Sequence, residues 1–275
     1  MDLTLDNNVP ELLSPKVDVI FKMLFGDERN KELTIKFISA VLGYKDGEIE
    51  DIVFPNPQLK SEFVGDKLEI LDVRAKLSNG TEVNIEMQAD SYQDIRKRIT
   101  YYKSDMITDQ IGEGNSYSLL RPVKSIVVTG FDSVPESKKC HTVFRMLETE
   151  EHFSFNDLEE IHILNLKKLP QLKNEGLLNW LEFINSKDKE EFMQVAQRDP
   201  TFERALQALT VISADKEARM LYKARLKAWR DEQAKLEDAV NKAVLKTRDE
   251  SIDEVLNLME QGYSVEQIRA TLRNG

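Results

Sequence analysis

Two stretches of the chain alternate between apolar and polar residues, and they flank the dipeptide Asn79-Gly80. In residues 71–77 and again in residues 83–89, apolar side chains take the odd positions and polar side chains take the even ones. A period of two residues is typical of a half-buried β-strand, and Asn-Gly is a frequent hairpin turn. The pattern therefore predicts a β-hairpin with one face in the core and one polar face.

The other apolar patterns predict helices and strands in an order that favours an α/β fold. Ser14 and Pro15 form a helix start before VDVIFKMLFG, a second helix ends at Gly43, and a third covers residues 91–111. Strands are predicted at residues 48–54, 123–131, 141–147 and 160–166. Helices that alternate with strands in this way predict a layered α/β core.

The C-terminal part of the chain has a different character. Residues 215–259 are almost all good helix formers without Pro or Gly, and their charges surround a thin apolar seam. This predicts a long helix, broken at most once, that pairs with another surface. Ser264 and Gln267 form a capping box, which predicts a last short helix. We expect one domain over residues 1–175 and a helical region over residues 176–275.

Composition limits the classes of function. The chain of 275 residues has a formal net charge of −11, which disfavours nonspecific coating of nucleic acid or of an anionic membrane. Its one cysteine excludes an intrachain disulfide and a cysteine-based zinc site. No apolar run approaches the roughly 20 residues that cross a bilayer, and the N-terminus resembles neither a signal nor a transit peptide. We therefore expect a cytoplasmic protein without a membrane partner.

The register of the hairpin decides which polar side chains meet. A two-residue turn would mix core and polar positions on both faces, whereas a three-residue loop at 78–80, with Gly80 left-handed, keeps odd positions beside odd ones. Asp72 then lies directly opposite Glu86, and Gln88 follows on the same face. Two adjacent carboxylates repel unless a cation lies between them, and Mg²⁺ prefers oxygen ligands. The hairpin thus predicts a metal site in which Gln88 orients a water or a phosphate.

Spacing alone leaves an alternative open for these acids. Arg74 and Lys76 could balance them on a strand pair that simply faces solvent. The role of Asp18 also has two alternatives. It lies opposite the apolar stripe of the first helix, where it could reach the same metal or a second one, or serve as a first-turn acid that the helix dipole favours.

Several segments follow one another in a characteristic order: SPKVDVIFKMLFG, LDV, IEMQ, RKRITYYKSDMITDQIGEGNSYSLLRPVKSIVVTGF, EIHILNLKKL and GYSVEQI. Together they resemble the recombination-promoting nuclease and putative transposase (Rpn) family, a branch of the PD-(D/E)XK nuclease superfamily. The resemblance implies an α/β restriction-endonuclease-like core over residues 1–175, with a mixed central sheet flanked by helices in the order αβββαβ. It also implies a C-terminal all-helical extension.

The same resemblance implies roles for individual residues. Asp72 and Glu86 become ligands of Mg²⁺, for which Mn²⁺ is the expected substitute, and they form the catalytic set with Gln88. Asp18 is the third candidate metal ligand. Gln88 stands where most of the superfamily has Lys, and Leu71 stands where the superfamily's Pro precedes the Asp. Because Gln carries no positive charge, the resemblance implies the nuclease fold more directly than it implies nuclease activity.

DNA-binding candidates lie on the predicted helix after the hairpin. Arg98 and Tyr101 resemble positions typical of the family, where they would meet phosphate and stack or hydrogen-bond, and Lys97 and Lys103 add positive charge. We expect a Mg²⁺-dependent DNA endonuclease of recombination or mobile-element biology, in a homodimer built partly on the long C-terminal helix. The alternative is a catalytically weak or inactive nuclease-fold protein that acts as an interaction or DNA-binding module through that helix.

Overall fold

The computed structural model describes residues 11–55, 72–89, 94–262, 264 and 267, with residues 72, 249 and 250 described by their backbone only. The helices in this part of the chain are α1 (Asp18–Phe25), α2 (Lys31–Leu42), α3 (Ile95–Thr108), α4 (Glu175–Asn185), α5 (Lys189–Ala196), α6 (Pro200–Ala214) and α7 (Lys216–Glu260). The strands are β1 (Ile52–Val53), β2 (Asp72–Leu77), β3 (Glu82–Gln88), β4 (Val123–Thr129), β5 (His141–Arg145) and β6 (Glu159–Asn165). Short 3₁₀ helices cover Glu28–Asn30, Tyr117–Leu119 and Leu166–Gln171.

The strands form one mixed sheet in the order β1-β2-β3-β4-β6-β5. β1, β2 and β3 are antiparallel neighbours, β3, β4 and β6 run parallel, and β5 pairs antiparallel with β6. A parallel pair needs a crossover connection, and α3 lies in the connection between β3 and β4. The prediction of a mixed central sheet flanked by helices, with a long C-terminal helix, is confirmed.

Different helices cover the two faces of the sheet. On one face Ile85 and Ile126 belong to the main core, which includes residues of α1, α2 and α4. On the other face Val127 packs in a smaller cluster with Ile99 of α3. Because neighbouring side chains on a strand point to opposite faces, Glu86 belongs to the face that α3 covers.

The hairpin adopts the predicted three-residue loop. The Leu77 N–H donates to the Thr81 carbonyl at 2.8 Å, and the Gly80 N–H donates to the Leu77 carbonyl at 2.9 Å. Gly80 has a φ of 87°, the left-handed conformation that glycine adopts at little cost. The strands then pair odd with odd and even with even, and Asp72 is the direct backbone partner of Glu86.

Aromatic contacts tie the helices after residue 175 to the first two helices. The Trp180 ring lies 5.7 Å from the ring of Phe25 and 4.8 Å from that of Phe202. The first compact unit runs to Tyr222, and the described residues from Lys223 onward belong to a second unit. The boundary expected at residue 175 thus precedes three helices, α4, α5 and α6, that share the main core.

Three helices differ from their predicted extents, among them α3, which ends at Thr108 and not at residue 111. α1 begins at Asp18 and not after Ser14, because the Val17 N–H bonds to the Ser14 carbonyl in a turn and Val17 itself is extended. α7 is one continuous helix of 45 residues, whereas the sequence pattern is also compatible with one break. The predicted start of α3 at 91–93 and most of the predicted last helix lie outside the described residues.

Two further observations concern the predicted capping box and the one cysteine. The Ser264 N–H donates to Gln267 Oε1 at 2.8 Å, and the Gln267 N–H donates to Ser264 Oγ at 3.3 Å, so the box is confirmed. Cys140 is buried, its Sγ donates to the Asn165 carbonyl, and burial raises the pKa of its thiol to about 11. No helix in the described part of the chain is both long and apolar enough to span a bilayer.

Candidate active site

The hairpin brings the two predicted metal ligands to the same level of the sheet. Asp72 at the start of β2 and Glu86 near the end of β3 are directly paired in the antiparallel register. Cβ atoms of such partners are about 4.5–5.5 Å apart. The side chain of Asp72 lies outside the described part of the structure. The backbone alone therefore supports the predicted meeting of the two carboxylates.

The Glu86 carboxylate is buried and held by two amide groups from its own strand. Glu86 is only 3 % exposed. Asn84 Nδ2 donates to Oε1 at 2.9 Å, and Gln88 Nε2 donates to Oε2 at 3.2 Å. Residues two apart on a strand point to the same face, which is why the neighbours at both sides reach the carboxylate. This arrangement fixes where both carboxylate oxygens point.

Glu86 is buried because of the position of its strand in the sheet. β3 lies between β2 and β4, so backbone neighbours flank it on both sides. Glu86 is paired in register with Val127 of β4, which packs against α3. A buried carboxylate is costly unless hydrogen bonds or a cation compensate its charge. The two amides supply part of that compensation, and a cation would supply more.

Asp18 opens α1 and is itself 8 % exposed. Its Oδ1 accepts the Val19 N–H at 2.9 Å, which is the behaviour of an acid in the first turn of a helix. α1 packs in the main core, on the sheet face opposite Glu86. Asp18 as a further metal ligand stays a prediction.

Oxygen donors are what a hard divalent cation requires, and the chemistry of the Asp72 and Glu86 side chains fits Mg²⁺ or Mn²⁺. Among the described side chains, no group of three or more His, Cys, Asp and Glu is placed to hold a metal ion. The carboxylate of Asp72 does not belong to that set. The metal site formed by Asp72 and Glu86 therefore stays a prediction.

Three of the four DNA-binding candidates are at least partly exposed on α3. Tyr101 is 68 % exposed, and the Arg98 guanidinium lies over the Tyr102 ring at 5.2 Å. Lys97 is exposed and its Nζ lies 2.9 Å from Asp94 Oδ1. α3 covers the face of the sheet to which Glu86 belongs. These side chains therefore lie on the helix that borders the candidate site.

Lys103 does not join this exposed group. It is 8 % exposed, and its Nζ forms an ion pair with Glu159 at the start of β6. Burial lowers the pKa of Lys103. The side chain is engaged inside the fold in an ion pair between α3 and the sheet, and its assignment as a DNA contact stays a prediction.

Sequence reasoning missed Asn84 as a functional residue. Its place at an even position beside Glu86 and Gln88 was a usable signal, because those three side chains must share one face. The hydrogen bond itself depends on side-chain conformation, which alternation does not specify. Asn84 Oδ1 is also buried without a hydrogen-bond partner among the described residues.

Comparison with known protein families gives a match over most of the chain. The sequence profile of a family described as PD-(D/E)XK nuclease family transposase matches residues 15–239, which include Asp18, Asp72, Glu86 and Gln88. No curated protein and no solved structure gives a match. The matched region extends over the mixed sheet, its flanking helices and the first half of α7.

Proposed function

The chain belongs to the PD-(D/E)XK nuclease family of transposases, and on that premise we propose that it is a metal-dependent endonuclease that hydrolyses phosphodiester bonds in DNA. The observation that carries the proposal is the pairing of Asp72 with Glu86 across the hairpin. Family membership alone supports a nuclease role. The strand register identifies which two acids lie side by side. Two acids that face each other in a strand pair repel unless a cation binds between them.

Each site residue has a definite task in this proposal. Asp72 and Glu86 would hold Mg²⁺, or Mn²⁺ as its substitute, and Asp18 is a further candidate ligand. Bound there, the ion supplies Lewis acidity that lowers the pKa of water and polarises the scissile phosphate. Gln88 holds Glu86 Oε2 and keeps the carboxylate directed. It cannot stabilise the developing negative charge as the Lys of most superfamily members does, so we expect slow turnover.

The DNA backbone would approach over α3 in this proposal. Arg98 would meet a phosphate, Tyr101 would stack on a base or hydrogen-bond, and Lys97 would exchange its pairing with Asp94 for a phosphate. With a net charge of −11, the protein is expected to bind DNA weakly and with a steep dependence on salt. We place the activity in recombination or mobile-element biology in the cytoplasm.

The test is cleavage of supercoiled plasmid DNA with Mg²⁺ or Mn²⁺ at low salt. Asp72→Ala and Glu86→Gln are expected to lower the cleavage rate by at least about 100-fold, because loss of a metal ligand removes several kcal/mol of transition-state stabilisation. Glu82→Gln is the matched control, since Glu82 lies on the same face of β3 but pairs with Lys76. Nicking that survives both site variants, or wild-type protein that leaves DNA intact with every metal, would contradict the proposal.

A second candidate function is favoured by α7. This helix exposes several large apolar side chains, among them Trp229, Leu236 and Val240, which fits an interaction surface. In that case the nuclease fold would be catalytically weak or inactive, and the chain would act as a module that binds a partner or DNA. Calorimetry with Mn²⁺ separates the two candidates. Saturable binding that Asp72→Ala and Glu86→Gln each abolish favours the enzyme, and its absence favours the module.

A further inference from the structure

Glu86 is flanked on its own strand by two buried amide side chains. Asn84 is 3 % exposed and Gln88 is 2 % exposed, so neither amide is available to a large ligand from solvent. Each donates to a different oxygen of the carboxylate, at 2.9 Å and 3.2 Å. A carboxylate that receives one donor on each oxygen cannot rotate without losing a hydrogen bond. The pair of amides therefore sets the plane of the Glu86 carboxylate.

Such a clamp is compatible with metal binding. Each carboxylate oxygen has two lone pairs, so the amide donor does not by itself exhaust the capacity of that oxygen. Side chains that hold a ligating carboxylate through hydrogen bonds commonly tune metal affinity as strongly as they tune orientation. Of the two amides, Gln88 belongs to the family motif, and Asn84 makes the shorter hydrogen bond.

We propose that Asn84 is a positioning residue that orients Glu86 for metal binding, a role that rests on the proposed function of the hairpin acids. Asn84 donates its Nδ2 hydrogen to Glu86 Oε1 and fixes the direction of that oxygen. It does not contact the metal itself. Its contribution is the fixed orientation of a ligand that would otherwise sample several rotamers.

The side-chain carbonyl oxygen of Asn84, Oδ1, supports this assignment. Asn84 Oδ1 is buried and accepts no hydrogen bond from the described residues. An unsatisfied buried carbonyl costs about 1–3 kcal/mol, and such groups in native proteins usually have a functional partner or an ordered water.

The full-length protein is suited to a direct test by Mn²⁺ titration. The apparent Mn²⁺ dissociation constant is measured by calorimetry, and the Mn²⁺ dependence of plasmid cleavage is measured in parallel. Asn84→Leu keeps the approximate size of the side chain but removes its NH₂ donor and its carbonyl acceptor. Asn84→Gln keeps an amide on a side chain that is one methylene longer. Ser125→Ala is the matched control, because Ser125 is buried and is the register partner of Asn84 on β4.

Asn84→Leu is expected to raise the apparent Mn²⁺ constant about 10-fold or more, which is typical when a partner of a ligating side chain is lost. Cleavage at saturating Mn²⁺ should recover most of the wild-type rate, and Asn84→Gln should recover part of the affinity. Ser125→Ala should leave the Mn²⁺ constant unchanged. A purely structural role of Asn84 would instead lower thermal stability without moving the Mn²⁺ midpoint.

Two failures are distinguishable. If wild-type protein binds Mn²⁺ and Asn84→Leu binds it within about twofold of wild type, the positioning role is overturned while the metal site stands. The positioning role is equally overturned if Ser125→Ala shifts the constant as much as Asn84→Leu does. If wild-type protein shows no saturable Mn²⁺ binding, the proposed function itself fails, and the positioning role fails with it.

Discussion

At the scale of single residues, burial changes the acid–base behaviour of His162. Its Nδ1 lies 2.9 Å from His141 Nε2, and its Nε2 lies 3.4 Å from Glu160 Oε1. Lys124 and Arg145 pair with the same Glu160. Burial in this cluster lowers the pKa of His162 to about 4. The folded protein therefore keeps His162 neutral at pH values where the unfolded chain is protonated.

This histidine makes the free energy of unfolding depend on pH. The contribution of neutral His162 to the free energy of unfolding is complete above the unfolded pKa, near 6.5. As the pH falls from there towards about 4, the free energy of unfolding decreases by up to about 3 kcal/mol. Urea titrations of wild type between pH 7 and pH 4.5 should show this decline. His162→Gln should flatten it, whereas His152→Asn, at an exposed position, should keep the wild-type slope. Equal slopes for all three proteins would contradict the assignment.

The sequence predicted single residues well where alternation decides their place. Asp72 opposite Glu86 follows from the two-residue period and from Gly80 in the loop. Lys103 shows that charge alone does not predict exposure. It lies four residues after Ile99 and three before Met106, so the helix period puts it on the buried stripe of α3. Its charge suggested a surface position, but the ion pair with Glu159, far away in sequence, permits burial.

At the scale of elements, the hairpin depends on one glycine. Gly80 has a φ of 87°, and a Cβ there would lie 3.3 Å from the Arg121 Cγ and Cδ atoms. Gly80→Ala is expected to lower the free energy of unfolding by about 1–2 kcal/mol, because left-handed backbone is unfavourable for alanine. Gly80→Asn should lose less, since asparagine tolerates this conformation. Denaturant titrations measure both changes.

The control for this prediction is Gly112→Ala. Gly112 has no left-handed φ, and a Cβ there would meet only the Asn115 side chain at 3.4 Å. It should change stability by less than Gly80→Ala. If the two alanine variants are equally stable, the loop conformation does not limit the hairpin.

Element types were predictable from sequence, whereas element ends and the extent of the core were less so. Strand β4 and helix α2 match their apolar patterns closely. The boundary at residue 175 was placed where composition changes, but composition does not reveal that Trp180 packs between Phe25 and Phe202. Such contacts join residues that are distant in sequence, and a local pattern cannot report them.

At the scale of the whole molecule, α7 carries an asymmetric distribution of charge. Residues 223–230 contain four Lys or Arg residues and no acid, whereas residues 249–260 contain five acids and no Lys or Arg. Leu236, Val240 and Val244 lie between them at helical spacing and are exposed. Two copies of α7 that pair antiparallel would place each basic segment beside an acidic one, whereas parallel pairing would place like charges together.

We therefore expect the homodimer predicted from the sequence to be antiparallel along α7. In sedimentation experiments, Leu236→Glu with Val240→Glu should give monomers, and Ala234→Glu, on the other side of the helix, should leave the dimer intact. Lys227→Glu should weaken the dimer, and adding Asp253→Lys should restore it by exchanging the two signs. A monomeric wild-type protein would refute the dimer, and failure of the charge exchange would refute its direction.

The buried state of Cys140 has a practical consequence. A thiol that is 1 % exposed, with its pKa raised to about 11 by burial, reacts slowly with maleimide dyes. It is the chain's one cysteine, so an introduced thiol would carry nearly all of the label. Tyr101→Cys would attach a fluorophore to the exposed side of α3. Its emission would then report in real time whether a polynucleotide approaches that helix.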